Sequence, residues 1–169
     1  MKLGKVVILG ASQVGKSTLA GHFATPFSSS LTQAVGVSVS KSKVQFEAGE
    51  VDLLWWDFSP DLAPALRETH CRNATAFVLV ADLARRETLA EAARMRRELE
   101  SSLPEVPVVV FVNKCDLRAP SELEETEREE LADLARGTVC HWGSAKSGHG
   151  VAGLGSHLGQ VVRNRPPKT

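Results

Sequence analysis

The chain has no excess of charge of either sign: Lys and Arg together number 20, as do Asp and Glu. A net charge of zero argues against non-specific nucleic-acid binding by the chain as a whole. Cysteine is scarce. Cys71, Cys115 and Cys140 are an odd number without metal-ligand spacing and read as reduced thiols of a cytoplasmic protein. His22, His70, His141, His149 and His157 show no ligand spacing either. No apolar run is long enough to cross a bilayer. The first apolar run starts almost at Met1, which leaves no room for a signal peptide. Lys2 stands where myristoylation needs glycine, and the final residues, Arg165-Pro166-Pro167-Lys168-Thr169, offer no cysteine for prenylation. The expectation is a cytoplasmic protein without a direct lipid anchor. At 169 residues it is one domain, with neither internal repeats nor low-complexity segments.

The chain does carry Gly10-Ala11-Ser12-Gln13-Val14-Gly15-Lys16-Ser17, placed directly after the apolar run Val6-Val7-Ile8-Leu9. The run reads as a buried strand, and Thr18 to Phe23 as the helix that leaves the loop. Strand, G-x-x-x-x-G-K-S and helix make a phosphate-binding loop. Gly10 and Gly15 let the backbone N–H groups approach phosphate oxygens, and the helix turns its positive end to the same place. Lys16 supplies a charge to the outer phosphates, and Ser17 a hydroxyl to magnesium. Ser12, Gln13, Val14 and Thr18 complete the predicted phosphate-binding set.

Apolar runs alternate with helical patterns, the mark of a sheet with helices on both faces. Lys43 to Glu47 and Val51 to Asp57 are expected to form an antiparallel pair around a turn at Ala48-Gly49-Glu50. Ala76 to Ala81 and Val106 to Val112 are apolar throughout and belong in the middle of a covered sheet, and Thr138 to Trp142 is a shorter strand. Trp55 and Trp56 point to opposite faces of their strand. Helices are expected from Arg86 to Ser101, from a capping box at Ser121 to about Arg136, and from about Val151 onward. The last carries Gly153, Gly155 and Gly159, each costing about 1 kcal/mol against alanine, so packing must hold it. Thr25 to Ser40 reads as the looser stretch.

Asn113-Lys114-Cys115-Asp116 falls at the end of an apolar strand, where open α/β sheets bind ligands. A carboxylate at Asp116 accepts two hydrogen bonds from the N1–H and amino group of guanine, and adenine presents no such pair of donors. The Lys114 stem lies along the base, Asn113 ties this loop to the phosphate loop, and a backbone N–H in Ser144-Ala145-Lys146 meets the guanine O6. With these motifs the chain resembles the Ras superfamily of small GTP-binding proteins, and within it the Rab-like branch, over nearly its whole length. Trp56-Asp57 and Gly36-Val37 fit the same pattern, and Trp56-Asp57-Phe58 is also somewhat similar to the Roc domains of larger proteins. The resemblance implies one G domain over 1–165 with a short tail at 166–169. Its α/β fold is a six-stranded, mostly parallel sheet with helices on both faces and one antiparallel edge strand. It implies bound GTP or GDP with Mg2+, the metal held by Ser17 and, through water, by Asp57, and protein effectors or regulators docking on residues 25–40 and 58–71.

The departures from the family pattern all concern the γ-phosphate. Asp57-Phe58-Ser59-Pro60-Asp61 stands where the family has Asp-x-x-Gly-Gln. Pro60 has no N–H to give the γ-phosphate, and Asp61 replaces the glutamine that orients the attacking water. Ala34 occupies the position of the magnesium-binding threonine, with Thr32 two residues earlier, and Gln13 fills a position usually held by glycine. Gln13 and Asp61 are therefore the candidates for whatever catalysis remains. The expected protein binds guanine nucleotide well, separates GTP from GDP poorly and hydrolyses GTP slowly. The rival reading is a non-catalytic interaction module. A P-loop kinase or ATPase is argued against by Asp116 and by the lack of an arginine-rich lid. Arg85, Arg86, Arg94, Arg96 and Arg97 make one helix basic and Glu122 to Glu130 make the next acidic; such runs are either solvated faces or partner contacts.

Overall fold

Alternating side chains along the first strand, β1 (Leu3–Leu9), divide the interior into two cores. Val7 and Leu9 pack on one face of the sheet, Val6 and Ile8 on the other. The computed structural model describes residues 2–24, 32–34, 36–59 and 61–166, with 32–34 as strand backbone. Along the chain follow α1 (Lys16–Phe23), β2 (Thr32–Ala34), β3 (Val37–Phe46), β4 (Gly49–Phe58), α2 (Pro64–Cys71), β5 (Ala76–Asp82), α3 (Glu87–Ser102), β6 (Val108–Asn113), α4 (Glu125–Ala135), β7 (Cys140–Trp142) and α5 (Val151–Asn164). The sheet order is β2-β3-β4-β1-β5-β6-β7. β3 runs antiparallel to both of its neighbours and the other pairs are parallel. The expected six-stranded sheet is present, and the short β2 extends it by a seventh strand beyond β3.

The hairpin is longer and tighter than the sequence suggests. Phe46 pairs with Gly49, leaving a two-residue turn at Glu47-Ala48, and β3 reaches back to Val37, which pairs with Phe58. Val37 and Val39 are buried on its inner face, an alternation diluted by the intervening serines of a stretch expected to be loose. Trp55 is buried, stacks on Phe23 at 4.4 Å and donates from its indole N–H to the Ser42 hydroxyl at 2.7 Å. Trp56 faces the opposite core, with the Lys5 ammonium 3.9 Å above its ring.

The α5 glycines have a packing reason. A Cβ on Gly155 would stand 2.8 Å from the Phe23 ring, and one on Gly159 2.7 Å from the Phe46 ring. Their absence lets α5 lie against the aromatic side chains of α1 and β3, which offsets its weak propensity.

The capping box expected at Ser121 does not form. Pro120–Glu122 is a 3-10 turn, and Glu127 accepts the Glu124 N–H at 2.8 Å, so α4 starts four residues later than Ser121. Glu127 is drawn there by Arg118, which grips its carboxylate with two bonds of 2.7 Å. The Arg118 guanidinium holds the Glu127 carboxyl well below the usual carboxylate range, at about 2. A depressed pKa means stability that is present above the unfolded value and lost as pH falls through the folded one. This contribution should therefore fade between about pH 4.5 and 2. Arg118→Met is expected to destabilise the protein at neutral pH, because it strips the Glu127 carboxylate of its guanidinium partner. Urea titrations of both proteins at pH 7 and pH 2.5 check this: the gap should shrink at the lower pH.

The basic and acidic helices answer each other within the chain. Arg97 pairs with Asp133, Arg86 with Glu130 at 3.9 Å, and Arg136 with Glu100 at 3.2 Å. Arg96 is buried and donates to the Leu134 and Arg136 carbonyls, closing the C-terminal end of α4.

Candidate nucleotide-binding site

The strands β1, β5 and β6 are parallel and end at the same edge of the sheet. That edge carries the loop between β1 and α1, the turn after β5 and the loop after β6. Burial explains the placement: the C-terminal halves of the three strands are buried, so the first polar residues after each of them emerge together.

A cavity of about 830 Å³ lies over the first loop, lined by Ser12, Gln13, Gly15 to Thr18, Gly36 to Ser38, Asp57 to Ser59 and Lys114. A second hollow of about 210 Å³ adjoins it, lined by Gly15, Thr18, Asn113, Lys114, Asp116, Leu117, Ser144, Ala145 and Lys146. The residues that the sequence analysis assigns to the phosphate loop and to the base loops thus meet around one continuous cleft, since Gly15, Thr18 and Lys114 line both hollows.

Asn113 joins the three loops. Its amide donates to the Val14 carbonyl at 2.8 Å, and its carbonyl oxygen accepts the Ala145 N–H at 2.7 Å, all in buried surroundings. Gly15 has to be glycine at this point: its φ is 100° and a Cβ would stand 2.3 Å from the Asn113 amide nitrogen. Gln13 also sits in the left-handed region, at φ 61°, which accounts for the usual preference for glycine at that position. Lys114, at φ 65°, donates to the Gln13 carbonyl at 2.9 Å.

Lys16 donates to the carbonyls of Gly10 at 3.0 Å and Ala11 at 2.7 Å. Burial lowers its pKa below the ordinary lysine value; Asp57 opposes the shift and Arg67 adds to it. Ser17 donates its hydroxyl to one Asp57 carboxylate oxygen. The other oxygen, Oδ1, is buried without a hydrogen-bond partner among the described residues. A buried carboxylate oxygen left over beside a serine hydroxyl is a donor set that suits a hydrated Mg2+ ion. Asp116 is exposed, and its carboxyl is held below the usual range first by the Ser144 hydroxyl, with Lys146 and Lys114 adding to this.

The two candidates for catalysis part company. Gln13 lines the larger cavity, whereas Asp61 is exposed and outside its lining. Pro60 and the side chains of Thr32 and Ala34 lie outside the described residues. The bond from the Ser59 N–H to the Gly36 carbonyl, at 2.9 Å, joins the segment after β4 to the turn before β3.

Sequence reasoning missed Asp82 and counted Arg85 only among the arginines of a basic helix, whereas it lies in the turn before α3. Asp82 ends β5, one residue past the strand as read from the sequence, and its carboxylate is buried against Lys114 at 2.7 Å and Arg85 at 3.1 Å. A lone acidic residue closing a fully apolar run was the available signal.

The model of the Ras family matches residues 5–163. The chain belongs to the Ras family. Among its relatives, Ras-related protein Rab-22A of Mus musculus is 30% identical over 132 residues, which is 76% of this chain and 68% of the relative. Ras-related protein RABA1a of Arabidopsis thaliana is 31% identical over 134 residues, 78% of this chain and 62% of the relative. Ras-related protein Rab-17 of Homo sapiens is 29% identical over 164 residues, 95% of this chain and 77% of the relative. This Ras-family chain is thus a Rab-like small GTPase by relationship, with the sheet and five helices of that fold. Among its described residues no helix is long and apolar enough to cross a membrane.

Proposed function

We propose that this chain is a Rab-like regulatory module, one G domain over 1–165, that holds GTP or GDP with Mg2+ and hydrolyses GTP slowly or not at all. The observation that carries the nucleotide reading is the Asn113 bridge, which makes one cleft of the phosphate loop, the Asn113-Lys114-Cys115-Asp116 loop and the Ser144-Ala145-Lys146 loop. In this reading the N–H groups of residues 13–18 and the Lys16 ammonium take the phosphates. Ser17 and, through water, Asp57 take the metal. Asp116, Lys114 and the Ala145 N–H take the guanine. Bound Mg2+ would supply charge neutralisation between the outer phosphates.

Impaired hydrolysis rests on chemistry at three positions. Proline at 60 has no N–H, alanine at 34 has no hydroxyl, and a carboxylate at 61 accepts but does not donate. Asp61 also stands away from the cavity, which favours the second reading, a non-catalytic module for which bound nucleotide is structural. Effectors or regulators are proposed to meet residues 25–40 and 58–71; the N-terminal turn of α2 exposes the apolar Pro64, Ala65 and Leu66, the last at 51%. The location proposed is cytoplasmic.

Single-turnover GTP cleavage with Mg2+, together with GDP and GTP dissociation constants, tests the proposal. The expected result is tight binding of both nucleotides with constants within about tenfold of one another, a difference under about 1.4 kcal/mol, and cleavage slower than the intrinsic rate of about 3–5 × 10⁻⁴ s⁻¹ typical of Ras. Cleavage at or above that rate would remove the claim of impairment. Absence of guanine-nucleotide binding would remove the whole reading.

A further inference from the structure

Three consecutive carbonyls of the phosphate loop are each held from outside by a nitrogen donor. Ser12 C=O accepts from the Arg85 guanidinium at 2.7 Å, Gln13 C=O from the Lys114 ammonium at 2.9 Å, and Val14 C=O from the Asn113 amide at 2.8 Å. All peptide bonds in the described residues are trans, and in a trans peptide the N–H of the following residue points away from the C=O. Pulling the three carbonyls outward therefore turns the N–H groups of Gln13, Val14 and Gly15 the other way. Gln13 and Gly15 line the larger cavity.

Asp82 organises two of the three donors. Its carboxylate is 1% exposed, and one oxygen accepts both Arg85 Nε at 3.1 Å and Lys114 Nζ at 2.7 Å. The other oxygen accepts the Ala84 N–H at 2.9 Å, which shapes the turn that carries Arg85. A buried carboxylate with two cations is compensated, and each cation retains donors for the loop. Arg85 suits this place because its planar fork reaches two acceptors at once from a fixed geometry. The loop needs such support more than most, because Gln13 takes a left-handed conformation that costs a non-glycine residue about 1 kcal/mol.

We propose that Arg85, oriented by Asp82, is a positioning residue for the phosphate loop that keeps the N–H of Gln13 aimed at the β-phosphate of a bound nucleoside diphosphate. The proposal rests on the guanine-nucleotide reading above. Arg85 touches the loop from behind and makes no contact with nucleotide itself. Its effect is confined to the phosphates beyond the first, since the α-phosphate, joined to the nucleoside, lies toward the base hollow, which Thr18 lines and Gln13 does not.

The test is the ratio of GDP to GMP affinity, measured on the full chain by displacement of a fluorescent GDP analogue. Arg85→Ala is expected to lower GDP affinity by roughly tenfold, the weight of one charge-assisted hydrogen bond, while GMP affinity stays within about twofold. Arg85→Lys should recover part of the loss, because an ammonium retains donors but not the fork. Gln13→Gly in the Arg85→Ala background should recover more, because a glycine holds the left-handed turn unaided. An unchanged ratio in Arg85→Ala overturns the proposal, as does an equal loss for GDP and GMP, which marks a general lesion. Failure of the unaltered chain to bind GDP is a different result and strikes the guanine-nucleotide reading instead.

Discussion

Asp116→Asn is expected to lower GDP affinity by roughly 10²- to 10⁴-fold and to create affinity for xanthosine diphosphate. A carboxylate facing the N1–H and amino group of guanine makes two charge-assisted hydrogen bonds, each worth about 1.5–3 kcal/mol. An asparagine amide keeps one acceptor but turns a donor toward the guanine amino group, so one bond is lost and one donor opposes another. Xanthine carries an oxygen in place of that amino group and accepts the amide donor. The carboxyl of Asp116 is held in its ionised form by the Ser144 hydroxyl, with Lys146 and Lys114 nearby, so the effect should be constant from pH 6 to pH 8. Competition of GDP, xanthosine diphosphate and ADP against a fluorescent guanine nucleotide measures it. If ADP displaces the probe from the unaltered chain as well as GDP does, Asp116 does not read the base.

Asn113→Ala should produce the largest loss of stability at the site, about 2–4 kcal/mol. It deletes two buried hydrogen bonds and leaves the Ala145 N–H without its partner. For a chain of this size each kcal/mol shifts the melting temperature by about 2–4 °C, so a fall of about 5–15 °C is expected. Asn113→Asp separates the two bonds. It keeps an acceptor for Ala145, but it sets a carboxylate oxygen against the Val14 carbonyl where a donor stood. Nucleotide binding should therefore suffer more in Asn113→Asp than its melting temperature does. Thermal unfolding with and without saturating GDP reads both effects, since a ligand that binds only the folded state raises the midpoint by mass action. A melting temperature within about 2 °C of the original for Asn113→Ala would show that the three loops hold their places without the bridge.

Both substitutions act on residues legible from one sequence, because short-range pattern is enough to find them. A loop of fixed spacing after an apolar run, and a polar quartet after another, mark the ends of buried strands before any contact is known. The same holds for the two covered faces of β1, β5 and β6, whose apolar residues admit no other place than the middle of a sheet. The boundaries were less legible. β3 begins six residues before Lys43, because its pairing with β4 outweighs the weak strand preference of a serine-rich stretch. α4 begins after Ser121, because the buried Arg118 pair places Glu127, and not Glu124, at the third helical position. A local capping pattern is worth about 1 kcal/mol, and a buried bidentate ion pair outweighs it when broken.

What the amino-acid sequence determined by itself is the alternation of covered strands with helices, the loop chemistry at the strand ends, and the loss at Pro60 of an N–H that no fold restores. What only the tertiary structure decided is which long-range partners those residues meet. Asp82 and Arg85 lie some 70 residues from Ser12 in sequence, yet they turn its carbonyl outward. Arg86 and Arg97 find their acids on α4, and Asp61 falls outside the cavity that Gln13 lines. Hydrogen bonds and ion pairs between distant segments follow from how the sheet stacks its loops, and no local spacing records that stacking.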